Sequence, residues 1–218
     1  MENLLSSIIL GANHFMVFAI LFTAPFLIMQ VRRHKFNIVR LGINYMFLLY
    51  CICVIALVFF PLPTLAEQGR LSGHQIQAVP FSFVGDIIRR TPFVWNQPQT
   101  YIPALTEKAV LQVVFNVLMT VPFGMYLRYN LHFSCKKIAV CSFGLSLFIE
   151  IAQLTGLFFM FSGSYRLCDV DDLIANTLGG IIGYAVVKMA ERVVPAIEAF
   201  DKNIVFVFNK SMSYNKSI

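Results

Sequence analysis

Long apolar stretches separated by short polar runs dominate this chain. An α-helix rising about 1.5 Å per residue needs about 20 mostly apolar residues to cross about 30 Å of hydrocarbon. Five stretches are long enough: residues 4–31, 41–60, 109–127, 138–161 and 173–190. The predicted fold is therefore all-α, a polytopic membrane helix bundle of about five transmembrane helices. These form a single transmembrane domain over residues 1–190, with an exterior loop at 62–108 and a tail at 191–218. Pro122-Phe123-Gly124 is expected to bend the inner end of the third span, because proline removes a backbone donor and crowds the preceding turn.

Composition supports the membrane reading. Of the 218 residues, 58% are hydrophobic and 13% charged, against about 45–50% and about 25% in soluble domains. The mean hydropathy is +0.72. Such a chain is not disordered, not a disulfide scaffold and not a nucleic-acid-binding surface. The net charge of +6 is informative only by position. Arg32, Arg33, Lys35, Arg40, Arg128, Lys136, Lys137, Lys188, Arg192, Lys202, Lys210 and Lys216 are twelve of the 17 basic residues, and they fall on alternate sides of the five spans. Arg70, Arg89, Arg90, Lys108 and Arg166 lie on the other side. Because Lys and Arg mark the cytoplasmic side, the N-terminus is expected outside and the tail in the cytoplasm of a multi-pass cell-membrane protein.

Glu2, with no basic residue before Arg32, argues against a cleavable signal peptide, so the first span is expected to be retained. Cys51, Cys53, Cys135 and Cys141 fall in spans or on the inner side. Only Cys168 is exterior, so no intrachain exterior disulfide is expected. In the exterior loop, residues 81–90 read either as a short amphipathic helix on the membrane surface or as an irregular cover, and Trp95 suits an interface. The Phe/Val run at 204–208 suits an interfacial helix.

Polar residues inside the spans are costly and fall on faces. Residues three or four apart share a helix face. Gln112, Asn116 and Thr120 line up on the third span; Ser142, Ser146, Glu150 and Gln153 on the fourth; and Asp172, Asn176, Gly179, Gly180 and Gly183 on the fifth. Counted from the predicted outer ends, Asn116 lies about 10 Å deep, Gln153 about 12 Å and Glu150 about 16 Å, near mid-depth, while Asn176 is within one turn of the surface. The loop 162–172 carries Arg166, Asp169, Asp171 and Asp172 above them. The expectation is one outward-facing polar site made of Asn116, Glu150, Gln153, Arg166, Asp169, Asp172 and Asn176, with Glu150 at its floor. Arg166 is expected to compensate Glu150, Asp169 or Asp172.

Structural readings stand beside the functional ones. Gly179-x-x-x-Gly183, with Gly180, is most simply a close helix-packing face. Asn116 and Gln153 serve equally well as interhelical hydrogen-bond donors. Asn13 and His14 suit the outer interface of the first span. A mid-membrane carboxylate is by default a functional residue, although an ion pair or protonation would also account for Glu150. Asp169 and Asp172, with Asp171 and Glu150, offer oxygen ligands of the kind Mg²⁺ or Ca²⁺ prefers. No phosphate-binding glycine loop, nucleophile elbow or zinc site is present.

The motifs resemble a known family. Asn116 followed by Pro122-Phe123-Gly124 resembles the N…PFG segment of the VanZ-like bacterial membrane proteins, and Glu150-Ile151-Ala152-Gln153 resembles their E-x-x-Q. Arg166, Asp169, Asp172, Asn176, Gly179 and Gly180 resemble R-x-x-D-x-x-D-x-x-x-N-x-x-G-G. Ala78-Val79-Pro80-Phe81 looks like a degenerate N-x-x-P-F without its Asn. The likeness covers about residues 80–184. The family is named for a protein associated with teicoplanin resistance, so it implies a cell-envelope context and, with it, antibiotic resistance. Three functional readings follow. The favoured one is a non-catalytic protein of the bilayer that binds a lipid-linked or cell-wall component, or a partner membrane protein. The second is an enzyme acting on a lipid head group or lipid-linked saccharide with Glu150 as acid/base. The third is a small transporter, which five spans without an inverted repeat make the weakest.

Overall fold

The computed structural model describes residues 35–59, 62–63, 68, 73, 75–90, 92–164 and 166–203, together with residues 21 and 28. The first predicted span, with Asn13 and His14, and the run 204–208 lie outside the described residues. In chain order the elements are β1 (Lys35–Phe36), α1 (Ile38–Phe59), β2 (Ile76–Gln77), α2 (Ser82–Arg90), α3 (Tyr101–Leu105), α4 (Lys108–Tyr129), α5 (Cys135–Leu154), β3 (Cys168–Asp169), α6 (Val170–Ala190) and β4 (Lys202–Asn203). Among the described residues, four helices are long and apolar enough to cross a membrane: α1, α4, α5 and α6. They correspond to the second to fifth predicted spans.

The chain divides into two compact units, Met1–Cys53 with Val193–Ile218, and Val54–Arg192. In the first unit, β1 pairs antiparallel with β4. Buried Asn37 organises the start of α1. Its Oδ1 accepts the Arg40 N–H at 2.8 Å, as an N-cap does. Its Nδ2 donates to the Ile197 carbonyl and to Asp201, both at 2.7 Å. Arg40 pairs with Glu198 at 2.9 Å.

The second unit is built on α4, α5 and α6. Lipid tails are as apolar as leucine, so helices associate there through close packing and interhelical hydrogen bonds rather than a hydrophobic drive. The burial pattern follows. Thr120, Gly124, Ser142, Ser146, Glu150, Asn176, Gly179, Gly180 and Gly183 are buried, while Phe115, Leu118, Val140, Phe148, Leu178 and Met189 are exposed. α4 and α6 run parallel in matched steps of four: Asn116 meets Asp172, Thr120 meets Asn176, and Gly124 meets Gly180. α5 runs antiparallel to α6, so Ser142 lies by Gly180, Ser146 by Asn176 and Glu150 by Asp169. A Cβ on Gly179 would strike the Val117 carbonyl and the Thr120 hydroxyl, and one on Gly183 the Val121 carbonyl. α4 continues through Pro122 to Tyr129 as one helix. At the far end, Arg128 and Lys188 both pair with Glu191, at 2.5 and 3.1 Å.

Two helix ends differ from the sequence reading. α5 stops at Leu154, not at 161. There Thr155 Oγ1 accepts the Phe158 N–H at 3.1 Å, and Gly156, Leu157, Phe158 and Phe159 take positive φ of 62°, 56°, 57° and 69°. The backbone reverses although every side chain from 156 to 161 is apolar or absent. A Cβ on Gly156 would also strike the Phe161 and Gly163 carbonyls. α6 begins at Val170, before the predicted Leu173, because Asp169 caps it: Asp169 Oδ1 accepts the Asp171 N–H at 2.8 Å. Asp171 and Asp172 then sit in the first turn, where the helix dipole favours negative charge. Glu150 therefore lies one turn from the end of α5 rather than near mid-depth, and Asn176 lies nearly two turns into α6.

Candidate functional site

The site forms at the end of the bundle where α4 and α6 begin and α5 ends. Two loop segments close it. β2 pairs parallel with β3, aligning Gln77 with Asp169. The Cys168 N–H donates to the Gln75 carbonyl at 3.0 Å and the Ser164 N–H to the Gly73 carbonyl at 3.2 Å.

Within this frame Asp171, buried at 4% exposure, is the hub. Its carboxylate accepts from Phe81 N–H at 2.5 Å, Ser82 Oγ at 2.8 Å and Phe83 N–H at 2.9 Å. These are groups of the first turn of α2 and its approach, so a residue of α6 caps a helix of the loop. Gln77 shares its two amide hydrogens among Ser82 Oγ, the Val79 carbonyl, Asp169 and Asp171, at 2.5–3.4 Å. Its Oε1 accepts the Val79 N–H at 2.5 Å.

Beneath the loops, Glu150 Oε2 accepts the Asp169 N–H at 2.9 Å, and the Cys168 thiol lies beside the same carboxylate. Asp172 Oδ1 accepts from Asn116 Nδ2 and, at 3.3 Å, from Gln112 Nε2. Asn176 Nδ2 donates to Ser146 Oγ at 2.8 Å, and Ser146 Oγ to the Asp172 carbonyl at 3.4 Å. Thr120 Oγ1 donates to the Asn176 carbonyl at 2.7 Å. Asn176 Oδ1 and Ser142 Oγ are buried with no hydrogen-bond partner among the described residues.

Of the residues expected to converge, Asn116, Glu150, Asp169, Asp172 and Asn176 are thus linked directly or through one neighbour. Gln153 turns elsewhere: its Nε2 donates to the Val58 carbonyl near the end of α1, at 3.2 Å. Arg166 is half-buried in the loop before β3, and its carbonyl accepts the Ser164 hydroxyl. Two residues outside the expected site matter as much. The sequence marks Asp171 as part of an acidic loop and as a possible cation ligand, not as a helix cap. Gln77 occupies the Asn position of the N-x-x-P-F pattern when counted back from Pro80-Phe81, one methylene longer but still an amide. The spacing of that motif was the signal for it.

The donors seen around Glu150, Asp169, Asp171 and Asp172 are backbone N–H groups, amides and a hydroxyl. Among the described residues no group of three or more His, Cys, Asp or Glu is placed to hold a metal ion. Burial raises the Asp169 carboxyl above the ordinary range, partly offset by the Asp171 N–H. Burial, followed by the neighbouring Glu150 charge, pushes the Cys168 thiol up to about 11. The thiolate is the reactive form. A variant keeping only Cys168 should therefore react with maleimide at pH 7.5 on the order of 100-fold more slowly than a free thiol of pKa about 8.5. The rate should rise with pH beyond 9, and Glu150→Gln should speed it at neutral pH. A rate that levels off below pH 9 would contradict this environment.

No curated protein and no solved structure shows significant similarity to this chain. A family model described as VanZ/LLP1 matches residues 47–191. That stretch holds α4 to α6 and the whole polar cluster, and spans well over half of the sequence. The chain belongs to the VanZ/LLP1 family of membrane proteins.

Proposed function

We propose that this protein binds a lipid-linked or cell-wall component of the bacterial envelope at the polar cluster, and by doing so contributes to glycopeptide (teicoplanin) resistance. The observation that carries the reading is the gathering of Glu150, Asp169, Asp171 and Asp172 at one bundle end, next to the buried, unpartnered Asn176 Oδ1. Buried ionisable groups in membrane-length helices are functional-site candidates by default, even near the helix ends. The set is rich in acceptors, which suits a ligand bearing hydroxyl, amide or ammonium donors. Arg166, two residues before Cys168, is the cation we assign to compensate the carboxylates. The distribution of basic residues supports a cluster facing the exterior, where such ligands are exposed.

The test compares a deletion strain with one carrying Glu150→Gln, which keeps the shape and removes the charge. At unchanged protein level, the Gln strain should match the deletion in glycopeptide susceptibility and in its profile of lipid and cell-wall precursors. Wild-type behaviour of the Gln strain would reduce Glu150 to a packing residue. A reporter active only outside the cell, fused at the C-terminus, should stay silent; activity there would reverse the orientation.

A further inference from the structure

The segment from Phe81 to Leu105 is not used by the polar cluster, apart from the capped start of α2. Its surface is unusually apolar for a loop. Val84 and Ile88 are exposed on one face of α2, at 43% and 74%, and Phe81, just before the helix, is 60% exposed. Trp95 is 78% exposed and Ile102 74%, with Phe93, Val94 and Leu105 also exposed. A flexible loop would bury such side chains against itself. Here the backbone is stapled so that they stay out. Phe93 stacks on Tyr101 at 5.3 Å and meets Trp95 edge-on at 6.2 Å. The Tyr101 hydroxyl donates to the Trp95 carbonyl at 2.6 Å. Thr100 Oγ1 accepts the Val94 N–H at 3.0 Å and donates to the Gln97 carbonyl at 2.7 Å.

The chain path fixes the height of this surface. α2 is held at its N-terminus by Asp171, in the first turn of α6. α3 ends at Leu105, only three residues before α4 begins at Lys108, a separation of at most about 10 Å. Both ends of the segment are therefore tied to the level at which two membrane helices begin. α4, which is long and apolar enough to cross a membrane, exposes Val114, Phe115 and Leu118 in its own first half. Arg89 and Arg90 are both exposed at the C-terminal end of α2; Arg90 also pairs with Asp86 one turn back at 3.4 Å, an exposed contact that leaves its other guanidinium N–H groups to solvent or head groups.

We infer that residues 81–105 form an interfacial docking element that lies in the head-group region of the bilayer. Trp95, Ile88 and Ile102 reach the acyl boundary, and Arg89 and Arg90 meet anionic lipid phosphates. The observations favour lipid over a protein partner: the segment leads within three residues into a helix long and apolar enough to cross a membrane, and its flanking arginines complement anionic head groups. An amphipathic element of this kind sinks about 5–10 Å into the interface. This placement holds the loop over the cluster at head-group depth, whatever the cluster binds.

Trp95 is the only tryptophan in the chain, so the unmodified protein reports on itself. The full-length protein is reconstituted in phosphatidylcholine–phosphatidylglycerol vesicles, and its fluorescence is quenched with iodide or with lipids brominated at shallow or deep acyl positions. The expected result is iodide quenching well below that of free tryptophan amide, and quenching by shallow bromines on the order of twofold stronger than by deep ones. Quenching by iodide like that of the free indole overturns the inference, because the loop then stands in water. Shielding from both iodide and bromolipids overturns it in favour of a protein surface, and stronger quenching by deep bromines in favour of a buried span. Replacing Arg89→Gln and Arg90→Gln together should raise iodide access in these vesicles; no change would overturn the anionic phosphates as their partner.

Discussion

Leucine in place of Gly179 is expected to destabilise the detergent-solubilised protein by about 1–3 kcal/mol, or to stop its accumulation, the usual cost of overpacking a tight core. The reason is where the added carbon would go. At Gly179 it meets the Val117 backbone carbonyl and the Thr120 hydroxyl. Neither can yield cheaply. The carbonyl belongs to the α4 backbone, and Thr120 Oγ1 is committed to the Asn176 carbonyl at 2.7 Å. The α4–α6 register would have to open, and with it the Asn116–Asp172 contact. Gly144 is the control, since a Cβ there finds nothing within 4 Å. Gly144→Leu should leave the melting temperature and expression unchanged. Equal losses at the two positions would show that glycine flexibility, not close approach, is what the bundle uses.

That helix register was legible in the sequence because its signal is local. Asn116 with Thr120, Ser142 with Ser146 and Glu150, and Asp172 with Asn176 and Gly180 recur at helical spacing, so each set had to share a face. Hydropathy likewise located the four described membrane helices to within a few residues at most ends. It failed at the end of α5, where hydropathy and backbone conformation part company. Leu157, Phe158 and Phe159 are as apolar as any span residue yet take positive φ, and only Gly156 hinted at a reversal. The depth assigned to Glu150 inherited that error.

The failure at Gln153 is of another kind. It lies three residues after Glu150, close enough in angle to share its face by counting. A long amide near a helix end nevertheless reaches whichever carbonyl is open, and here that is Val58. The role of Asp171 was invisible because its partners, Phe81 to Phe83, are about 90 positions away in the chain. The N-x-x-P-F spacing marks the position of Gln77, but its contact with Asp169 was hidden by the same kind of separation, since it depends on the parallel pairing of β2 with β3.

Asp171 is where removing one side chain should loosen the most loop. Three donors converge on its carboxylate from the Phe81 and Phe83 backbone and from Ser82, with the Gln77 amide as a fourth at 3.4 Å. Alanine there strips α2 of its cap and leaves the Phe81 and Phe83 N–H groups and the Ser82 hydroxyl without the acceptor they share. Helix caps are worth about 0.5–2 kcal/mol, and hydrogen bonds to charged groups about 1.5–3 kcal/mol. Because these four bonds act on one short segment, their losses do not add in full. A local opening cost of about 2 kcal/mol corresponds to about 30-fold faster amide exchange. Hydrogen exchange over residues 82–90 of Asp171→Ala should show at least that acceleration, with the α4–α6 core still protected because Asp171 does not contact α4 in the contacts above. Asp171→Asn keeps one acceptor oxygen and should fall between alanine and wild type. Unchanged protection of 82–90 in the alanine variant would mean that α2 is held by its packing alone. Acceleration spread evenly through α4 and α6 would mean that Asp171 stabilises the bundle rather than its cover. The cap and Glu150 act on opposite sides of Asp169, so a protein lacking only the cap should retain the Glu150–Asp169 contact while losing the loop above it.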